Sequence, residues 1–409
     1  MPLIQPFTGL RPTTERAAEV AAPPYDVLSS AEARQRAAGQ EWNFLHISKA
    51  EIDLPPETDP YSPTVYAKSA ENFQRMIAAG VLNRDSTPLY YAYRLIMGEH
   101  RQTGLVATAS VADYDSNRIR KHEFTRPDKE DDRVRQIEAL NAQTGPVLLA
   151  YPDAPEADAL IAAATSKMPV ADVTSLEGVR HTIWLIDDAQ AIERITAIFD
   201  AMPNLYIADG HHRSAAASRV AAARRGKSAG NSAEYFLSVI FPANQMRIMD
   251  YNRVVIDLNG LSPEAFLARL SESFSISAEE GRVHPENPGV FGMYLKGQWI
   301  RLEINPALIP AADPVARLDV SLLSDHLLGP ILGIADLRRD KRIDFVGGIR
   351  GLEELERRVD SGEMAVAFAL HATQMTDLMA VADSNNVMPP KSTWFEPKLA
   401  DGLVSHVID

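Results

Sequence analysis

The apolar positions of this chain follow two periods, and proline and glycine mark the segments between them. Runs of aromatic and β-branched residues predict strands, and apolar residues spaced three and four apart predict helices. The predicted strands cover residues 89–97, 103–114, 146–151, 181–186, 205–208, 234–241, 344–347 and 365–370, with a further hairpin at 289–304. The predicted helices cover residues 64–80, 128–141, 154–167, 188–201, 214–225, 264–274 and 352–361, with helical segments around 318–328. Hairpins mixed with strand–helix alternation predict an α/β or α+β protein with mixed sheets rather than one doubly wound sheet.

Three regions are predicted along the chain. An N-terminal α+β domain covers residues 1–150, and a central α/β region covers residues 151–258. Turn-forming pairs then punctuate the chain around residues 258–263. The C-terminal α+β region covers residues 259–409, and we expect its proline-rich tail to pack back on the body of the protein.

The central segment, residues 204–227, carries the strongest signal for a site. A short apolar strand turns at Asp209-Gly210 into an alanine-rich helix, which ends near Gly226. Residues 211–213, two histidines and an arginine, are therefore expected in the first helical turn, beside unpaired backbone N–H groups. That arrangement suits a bound phosphate or another anion.

Each residue of this turn has a candidate role. Gly210 permits a backbone geometry that larger residues resist, and Arg213 can hold a phosphate with its planar fork. His211 and His212 project about 100° apart on a helix, so one can contact phosphate while the other packs or moves a proton. Asp209 is either a helix N-cap or a ligand of a metal that accompanies the phosphates. The alternative is an ordinary capped helix with surface histidines.

Two further clusters contain groups that can act as acids, bases or cations. Residues 121–125 read Lys-His-Glu-Phe-Thr and precede a charged helix, so they offer an acid–base pair or simply a solvated strand end. Lys391-Ser392-Thr393 resembles the end of a Walker A loop, but the glycines of that loop are missing, so we reject a P-loop. Lys391 remains a candidate as a single cation that could reach a site. Tyr25-Asp26 follows two prolines, where such residues are common in turns.

Composition narrows the classes of function. The net charge of −14 argues against a nucleic-acid binder, and the absence of cysteine excludes disulfides, thiolate nucleophiles and cysteine metal sites. No run of about 18 apolar residues is present, so we expect no membrane span, and residues 1–16 do not resemble a signal peptide. A cytoplasmic protein is the expectation. Neither a Gly-x-Ser-x-Gly elbow nor a Rossmann glycine fingerprint occurs.

Four motifs together resemble a bacterial and archaeal family known as domain of unknown function 1015. They are Pro23-Pro24-Tyr25-Asp26, Lys121-His122-Glu123, Ala208-Asp209-Gly210-His211-His212-Arg213 and Met388-Pro389-Pro390-Lys391-Ser392-Thr393. The resemblance spans nearly the whole chain, and the Ala-Asp-Gly-His-His-Arg block is its most specific part.

The central block also resembles the phosphate-binding turn of the ParB/sulfiredoxin group, which includes a DNA-partition nucleotidase, a sulfinic-acid reductase and free-serine kinases. Sulfiredoxin chemistry works through a cysteine, and ParB clamping normally comes with a basic helix-turn-helix domain, so this sequence fits neither. A small-molecule kinase passes both tests.

The resemblance therefore implies a nucleotide-dependent phosphotransferase for a small hydroxylated metabolite, such as free serine, using ATP or ADP with Mg²⁺. The expected nucleotide-binding residues are Gly210, His211, His212, Arg213, Ser214 and Lys391, and Asp209 is the expected metal ligand. The expected catalytic residues are Asp209, His211 and His212, with Glu123 and Asp26 as further candidates for the carboxylate that orients the acceptor. The alternatives are a non-catalytic nucleotide sensor and a metal-dependent hydrolase using His122, Glu123, Asp209 and the paired histidines His211 and His212.

Overall fold

A computed structural model gives the fold and describes residues 1–227 and 230–409. The chain separates into two compact units: Met1–Met246 together with Pro397–Asp409, and Arg247–Glu396. Each unit combines helices with its own main sheet, so the predicted mixed α/β architecture is confirmed. The division into three regions at residues 150 and 258 stays a prediction.

The first unit is built on a nine-stranded mixed sheet. Its strands and those of its small side sheets are β1 (Ile4–Gln5), β2 (Leu10–Pro12), β3 (Leu82–Arg84), β4 (Tyr90–Met97), β5 (His100–Ser110), β6 (Ile119–Arg120), β7 (Ala142–Gln143), β8 (Val147–Tyr151), β9 (Ala171–Thr174), β10 (Arg180–Ile186), β11 (Leu205–Asp209) and β12 (Tyr235–Pro242). The order across the main sheet is β6–β11–β8–β12–β5–β4–β10–β9, and β1 pairs with β5. The β6–β11 and β8–β12 pairs are parallel, whereas the remaining pairs are antiparallel.

The helices of the first unit begin and end where local chemistry dictates. They are α1 (Ala17–Val20), α2 (Ser30–Ala37), α3 (Leu45–Ser48), α4 (Pro63–Ala78), α5 (Val111–Asp115), α6 (Pro127–Leu140), α7 (Pro155–Ala164), α8 (Ala189–Asp200) and α9 (His211–Arg224). Proline opens α4, α6 and α7, where its missing N–H group has no helical partner to lose. Asn141 ends α6 in the left-handed region at φ 50°.

The main core of the first unit lies between this sheet and its helices. Leu105, Leu149 and Ile207 of the sheet belong to the same buried cluster as Phe199 of α8 and Ala217 of α9. Fully burying a side chain such as Phe199 contributes about 1.5–3 kcal/mol. Small alanines on α9 let the helix lie close to the sheet, so the start of α9 is fixed relative to the end of β11.

The second unit contains a six-stranded antiparallel sheet. The strands of the second unit are β13 (Arg247–Met249), β14 (Tyr251–Val255), β15 (Phe274–Glu279), β16 (Val290–Leu295), β17 (Gln298–Ile304), β18 (Ile343–Gly347), β19 (Val366–Leu370) and β20 (Trp394–Glu396). The sheet order is β15–β17–β16–β19–β14–β18, and β13 pairs with β20 apart from it. Its helices are α10 (Pro263–Leu270), α11 (Asp319–Leu323), α12 (Glu353–Asp360) and α13 (Met375–Asp383).

The C-terminal segment Pro397–Asp409 is part of the first unit. Its strand β21 (His406–Val407) pairs with β7, and single bridges join Asp401 to Ala22 and Ser405 to Leu10. These backbone bonds fix the segment along its length. In the described part of the chain, no helix combines the length and apolar character needed to cross a membrane.

Candidate active site

The junction of β11 and α9 is a tight turn at Gly210. This glycine has φ 102° and ψ 26°, and α9 begins at His211 without a side-chain N-cap bond. A Cβ atom on Gly210 would lie 3.0 Å from Nε of Arg213. Glycine is therefore required here twice, for its positive φ and for the space that the guanidinium occupies.

Arg213 is held by groups on both sides of the turn. Its Nη2 donates to Oδ2 of Asp209 at 3.2 Å, and its Nη1 donates to the carbonyl oxygen of Pro146. These bonds use two of the five guanidinium N–H groups. Burial disfavours the charge, but the nearby carboxylates of Asp209 and Asp26 outweigh it and raise the pKa of Arg213. The side chain is a fixed and permanent cation.

Asp209 faces two cations. Besides Arg213, Nζ of Lys398 lies 3.9 Å from its Oδ2. Burial opposes ionisation of Asp209, yet Lys398 and Arg213 together lower its pKa to about 2. Such a carboxylate is ionised near neutrality and is a weak base, so Asp209 suits a counterion or a metal ligand better than a proton acceptor.

A small cleft that opens to solvent lies beside Arg213, with about 30 Å³ of space for water-sized molecules. Its walls come from the 3₁₀ turn Tyr25–Val27, from α6, from the β7–β8 connection and from the C-terminal segment. The lining residues are Tyr25, Ser48, Arg133, Gln136, Ile137, Ala142, Gln143, Thr144, Gly145, Val147, Arg213, Phe236, Leu237 and Asp401. Two guanidinium groups, those of Arg133 and Arg213, thus border one concave surface, which suits an anionic ligand.

Arg133 is positioned by an aromatic ring and a carboxylate. Its Cζ lies 3.8 Å from the ring centroid of Tyr25, and its Nη2 lies 2.6 Å from Oδ2 of Asp132. Asp132 in turn accepts the hydroxyl of Tyr66 at 2.8 Å. Burial raises the pKa of Tyr25 to about 12, so its phenol stays protonated and its ring remains a neutral platform under the cation.

Asp401 is the acidic residue among those that line the cleft, and the sequence analysis did not identify it. It is 3% exposed, and burial raises its pKa to about 7 although Arg213 acts in the opposite direction. One signal was present in the sequence. Asp401-Gly402 repeats the Asp-Gly pair of the central motif, and Gly402 has φ 87°.

The paired histidines bind backbone. His211 is buried, and its Nε2 accepts the N–H of His122 at 3.4 Å while its Nδ1 lies 3.7 Å from Oε2 of Glu123. Nε2 of His212 accepts the N–H of Arg126 at 3.1 Å. Burial lowers the pKa of His211 well below its usual range and that of His122 to about 4, so both rings are neutral at pH 7. The two rings hold residues 122–126 against α9, and their catalytic role stays a prediction.

The remaining predicted residues lie in different surroundings. Ser214 donates its hydroxyl to the carbonyl of His211 at 3.0 Å, within its own helix. Asp26 is exposed next to Tyr25, and Glu123 is exposed beside His211. Lys391 belongs to the second unit, where its Nζ lies 5.5 Å from the ring centroid of Tyr251. The assignment of Ser214 and Lys391 to nucleotide binding stays a prediction.

Metal ligands are sparse. Within residues 1–227 and 230–409, no group of three or more His, Asp or Glu side chains is placed to hold a metal ion. Mg²⁺ is commonly bound through one or two carboxylates together with substrate phosphates. Asp209 offers one such carboxylate at the turn, which suits a metal carried in by a nucleotide but not an all-protein metal centre.

The model of the family described as "Protein of unknown function (DUF1015)" matches residues 4–321. No curated protein matches the sequence. Similar solved structures include free serine kinase in complex with AMP, with 13% identity, 71% of this chain and 86% of that chain covered, and a TM-score of 0.35. A conserved hypothetical protein from Pyrococcus furiosus has 14% identity and a TM-score of 0.35, and the match covers 72% of this chain and 93% of that chain. SbnI from Staphylococcus aureus has 10% identity, coverages of 72% and 85%, and a TM-score of 0.37.

Proposed function

The chain belongs to the DUF1015 family, and from the geometry of its first unit we propose that it is a nucleotide-dependent phosphotransferase. The proposed acceptor is a small hydroxylated metabolite, with free serine as the first candidate. The proposed compartment is the cytoplasm, where nucleoside triphosphates are available. The observation that carries the proposal is the cleft lined by both Arg133 and Arg213, the latter in the first turn of α9.

The turn and the two arginines would bind phosphate. N–H groups at the start of α9 carry partial positive charge, and Arg213 is fixed beside them by Asp209 and Pro146. Phosphoryl transfer depends mainly on positioning and on neutralising the charge of the transferred group. Two fixed guanidinium groups on one surface supply that neutralisation without any rearrangement at the moment of reaction.

The metal role falls to Asp209 in this proposal. A nucleotide-bound Mg²⁺ neutralises phosphate charge, and Asp209 would hold it while remaining ionised across the neutral range. Nζ of Lys398 lies 3.9 Å from Oδ2 of Asp209, so a metal bound there would have to displace this ammonium group. An all-protein metal centre has no support in the described residues, so we do not propose the metal-dependent hydrolase.

A non-catalytic nucleotide sensor is the second candidate. The ring nitrogens of His211 and His212 contact the backbone of residues 122–126. Because both histidine rings accept hydrogen bonds from this segment, a movement of the turn on ligand binding would move residues 122–126 directly. A sensor would bind nucleotide without turnover, whereas the phosphotransferase consumes ATP when the acceptor is present.

The test is calorimetric titration of the full chain with ATP and ADP, with and without Mg²⁺, followed by ATP-consumption assays with serine and other hydroxylated metabolites. Arg213→Ala is expected to weaken ADP binding by about 1.5–3 kcal/mol, the value of a charged hydrogen bond. Arg219→Ala is the matched control, since Arg219 lies on the same helix but is exposed and pairs with Asp131. Equal ADP affinity in the wild type and Arg213→Ala, with the fold retained by circular dichroism, would remove the proposal.

A further inference from the structure

The C-terminal segment brings a carboxyl group to the cleft from far along the chain. The backbone N–H of Asp401 donates to the carbonyl of Ala22 at 2.8 Å, and the backbone carbonyl of Asp401 accepts the N–H of Ala22 at 3.1 Å. The next residue, Gly402, packs so closely that a Cβ atom there would lie 2.7 Å from the ring of Phe44. Asp401 is therefore held in place by main-chain bonds on one side and by packing on the other.

The space between Asp401 and Arg213 is kept open by a glycine. A Cβ atom on Gly145 would lie 3.3 Å from Cδ of Arg213 and 3.9 Å from Oδ1 of Asp401. A side chain at position 145 would press on Arg213 and would also contact Asp401. The unfilled position lies in the cleft, between a fixed cation and a carboxyl group.

Neighbouring carboxylates are committed elsewhere. Asp209 faces Arg213 and Lys398, and Asp132 pairs with Arg133 while accepting the Tyr66 hydroxyl. Asp26 and Glu123 are exposed and are not part of the cleft lining. Among the groups that face Asp401, burial and the charge of Asp26 oppose its ionised form, whereas Arg213, Arg133 and a hydrogen bond from the backbone of Tyr25 favour it.

We propose that Asp401 is the catalytic residue that accepts the proton of the acceptor hydroxyl, a role that rests on the proposed phosphotransferase function. In that step the acceptor oxygen forms a bond to the γ-phosphorus, and the bond from that phosphorus to the bridging oxygen of ADP breaks. The hydroxyl proton passes to the Asp401 carboxylate, and the electron pair of the broken bond stays on ADP. Arg213, across the open position, neutralises the charge of the transferred group.

The surroundings of Asp401 match this task better than those of Asp209. A general base works best when its pKa lies near the operating pH. Burial raises the pKa of Asp401 to about 7, whereas the two cations beside Asp209 lower its pKa to about 2. Asp401 can therefore take up a proton during the step and release it afterwards at neutral pH.

The experiment compares the full-length Asp401→Asn variant with the wild type and with Asp409→Asn, a matched substitution in the same segment at a residue that pairs with Arg84. We expect Asp401→Asn to lower kcat about 10²–10⁴-fold, the usual contribution of a general base, with an unchanged Kd for ADP. The wild-type kcat should fall as the pH drops below 7, and Asp401→Asn should lose this limb. Asp401→Glu should recover part of the activity, and Asp409→Asn should behave as wild type.

The outcomes separate the two proposals. A wild type that does not bind ADP overturns the phosphotransferase proposal and, with it, the role of Asp401. ADP binding and turnover that survive Asp401→Asn overturn the role of Asp401 alone. A variant that loses ADP affinity while its kcat is unchanged makes Asp401 a binding residue, which also contradicts the proposal. Thermal melting of each variant identifies a loss of fold. If Asp401→Asn does not fold, the activity and pH profile of Asp401→Glu decide whether Asp401 accepts the proton.

Discussion

Arg213 and Asp209 face each other across one turn at the start of α9, with the guanidinium Nη2 3.2 Å from the carboxylate Oδ2. The pair surrounds Gly210, whose missing side chain leaves the space for the guanidinium. Lys398 approaches the same carboxylate from the C-terminal segment. One acidic side chain thus lies beside two cations.

Asp209→Asn should therefore affect ADP binding in opposite directions with and without metal. In EDTA the substitution frees Arg213 and Lys398 from their counterion, so we expect ADP to bind as tightly as to the wild type or tighter, by roughly 1 kcal/mol at most. That limit is low because the carboxylate is 39% exposed and solvent screens it. With Mg²⁺ the wild type should gain affinity and the variant should not. Calorimetry with EDTA and with Mg²⁺ checks this prediction. If Asp209→Asn lost as much ADP affinity in EDTA as in Mg²⁺, Asp209 would instead be a structural support of the turn.

Gly210→Ala should damage both the turn and the site. A non-glycine residue at positive φ costs about 1–2 kcal/mol, and the added Cβ would press on the guanidinium of Arg213. Gly226→Ala is the control, since Gly226 has φ 73° but open space around it. Urea denaturation should show a loss of stability in both variants, larger in Gly210→Ala, and calorimetry should show weakened ADP binding in Gly210→Ala alone. Equal ADP affinities in the two variants would contradict the close packing of Arg213 on Gly210.

The local parts of this site could be predicted from the sequence. The apolar run 205–208, the Asp-Gly pair and the alanine-rich stretch encode a strand, a turn and a helix within about twenty residues, and the structure has β11, Gly210 and α9 there. Local signals also misled in one place. The predicted strand 103–114 ends at Ser110, because the Ser110 hydroxyl accepts the N–H of Asp113 and caps α5.

The distant parts of the site could not be predicted in this way. Asp401 reaches the cleft through its backbone bridge to Ala22, and no periodicity along the chain encodes a contact between the two ends of a sequence. Arg133 was part of a charged run, and its contact with the Tyr25 ring depends on how α6 packs. Such residues become recognisable only when tertiary structure brings separate segments together.

The stability of the protein should fall as the pH drops from 7 to 5. Burial lowers the pKa of His122, His181 and His406 from 6.5 to about 4. Below pH 6.5 the unfolded chain binds protons that the folded chain does not, so the free energy of unfolding decreases with falling pH. Each such histidine costs about 2 kcal/mol at pH 5. Burial raises the pKa of Asp401 to about 7, so its contribution has the opposite sign and favours the folded state at low pH.

His406→Gln isolates one of these contributions. The His406 Nε2 contacts the carbonyl of Ser232 at 2.9 Å, and the amide of glutamine can donate to the same oxygen without titrating. We expect the loss of stability between pH 7 and pH 5, measured by urea denaturation, to shrink by about 2 kcal/mol in this variant. An unchanged pH dependence would show that His406 is protonated in the folded protein.

The second unit offers a separate test at Arg253, a fully buried side chain on β14. Its guanidinium donates to the carbonyls of Lys391, at 3.0 Å, and Tyr251, and burial lowers its pKa to about 10. Arg253→Ala removes these bonds and leaves a cavity, so it should cost about 3–5 kcal/mol in urea denaturation. Arg253→Met keeps most of the volume and removes a buried charge, whose desolvation opposes folding, so its cost should be about 1 kcal/mol. A methionine variant as unstable as the alanine variant would show that the hydrogen bonds to the two carbonyls, rather than packing, hold the segment around Lys391.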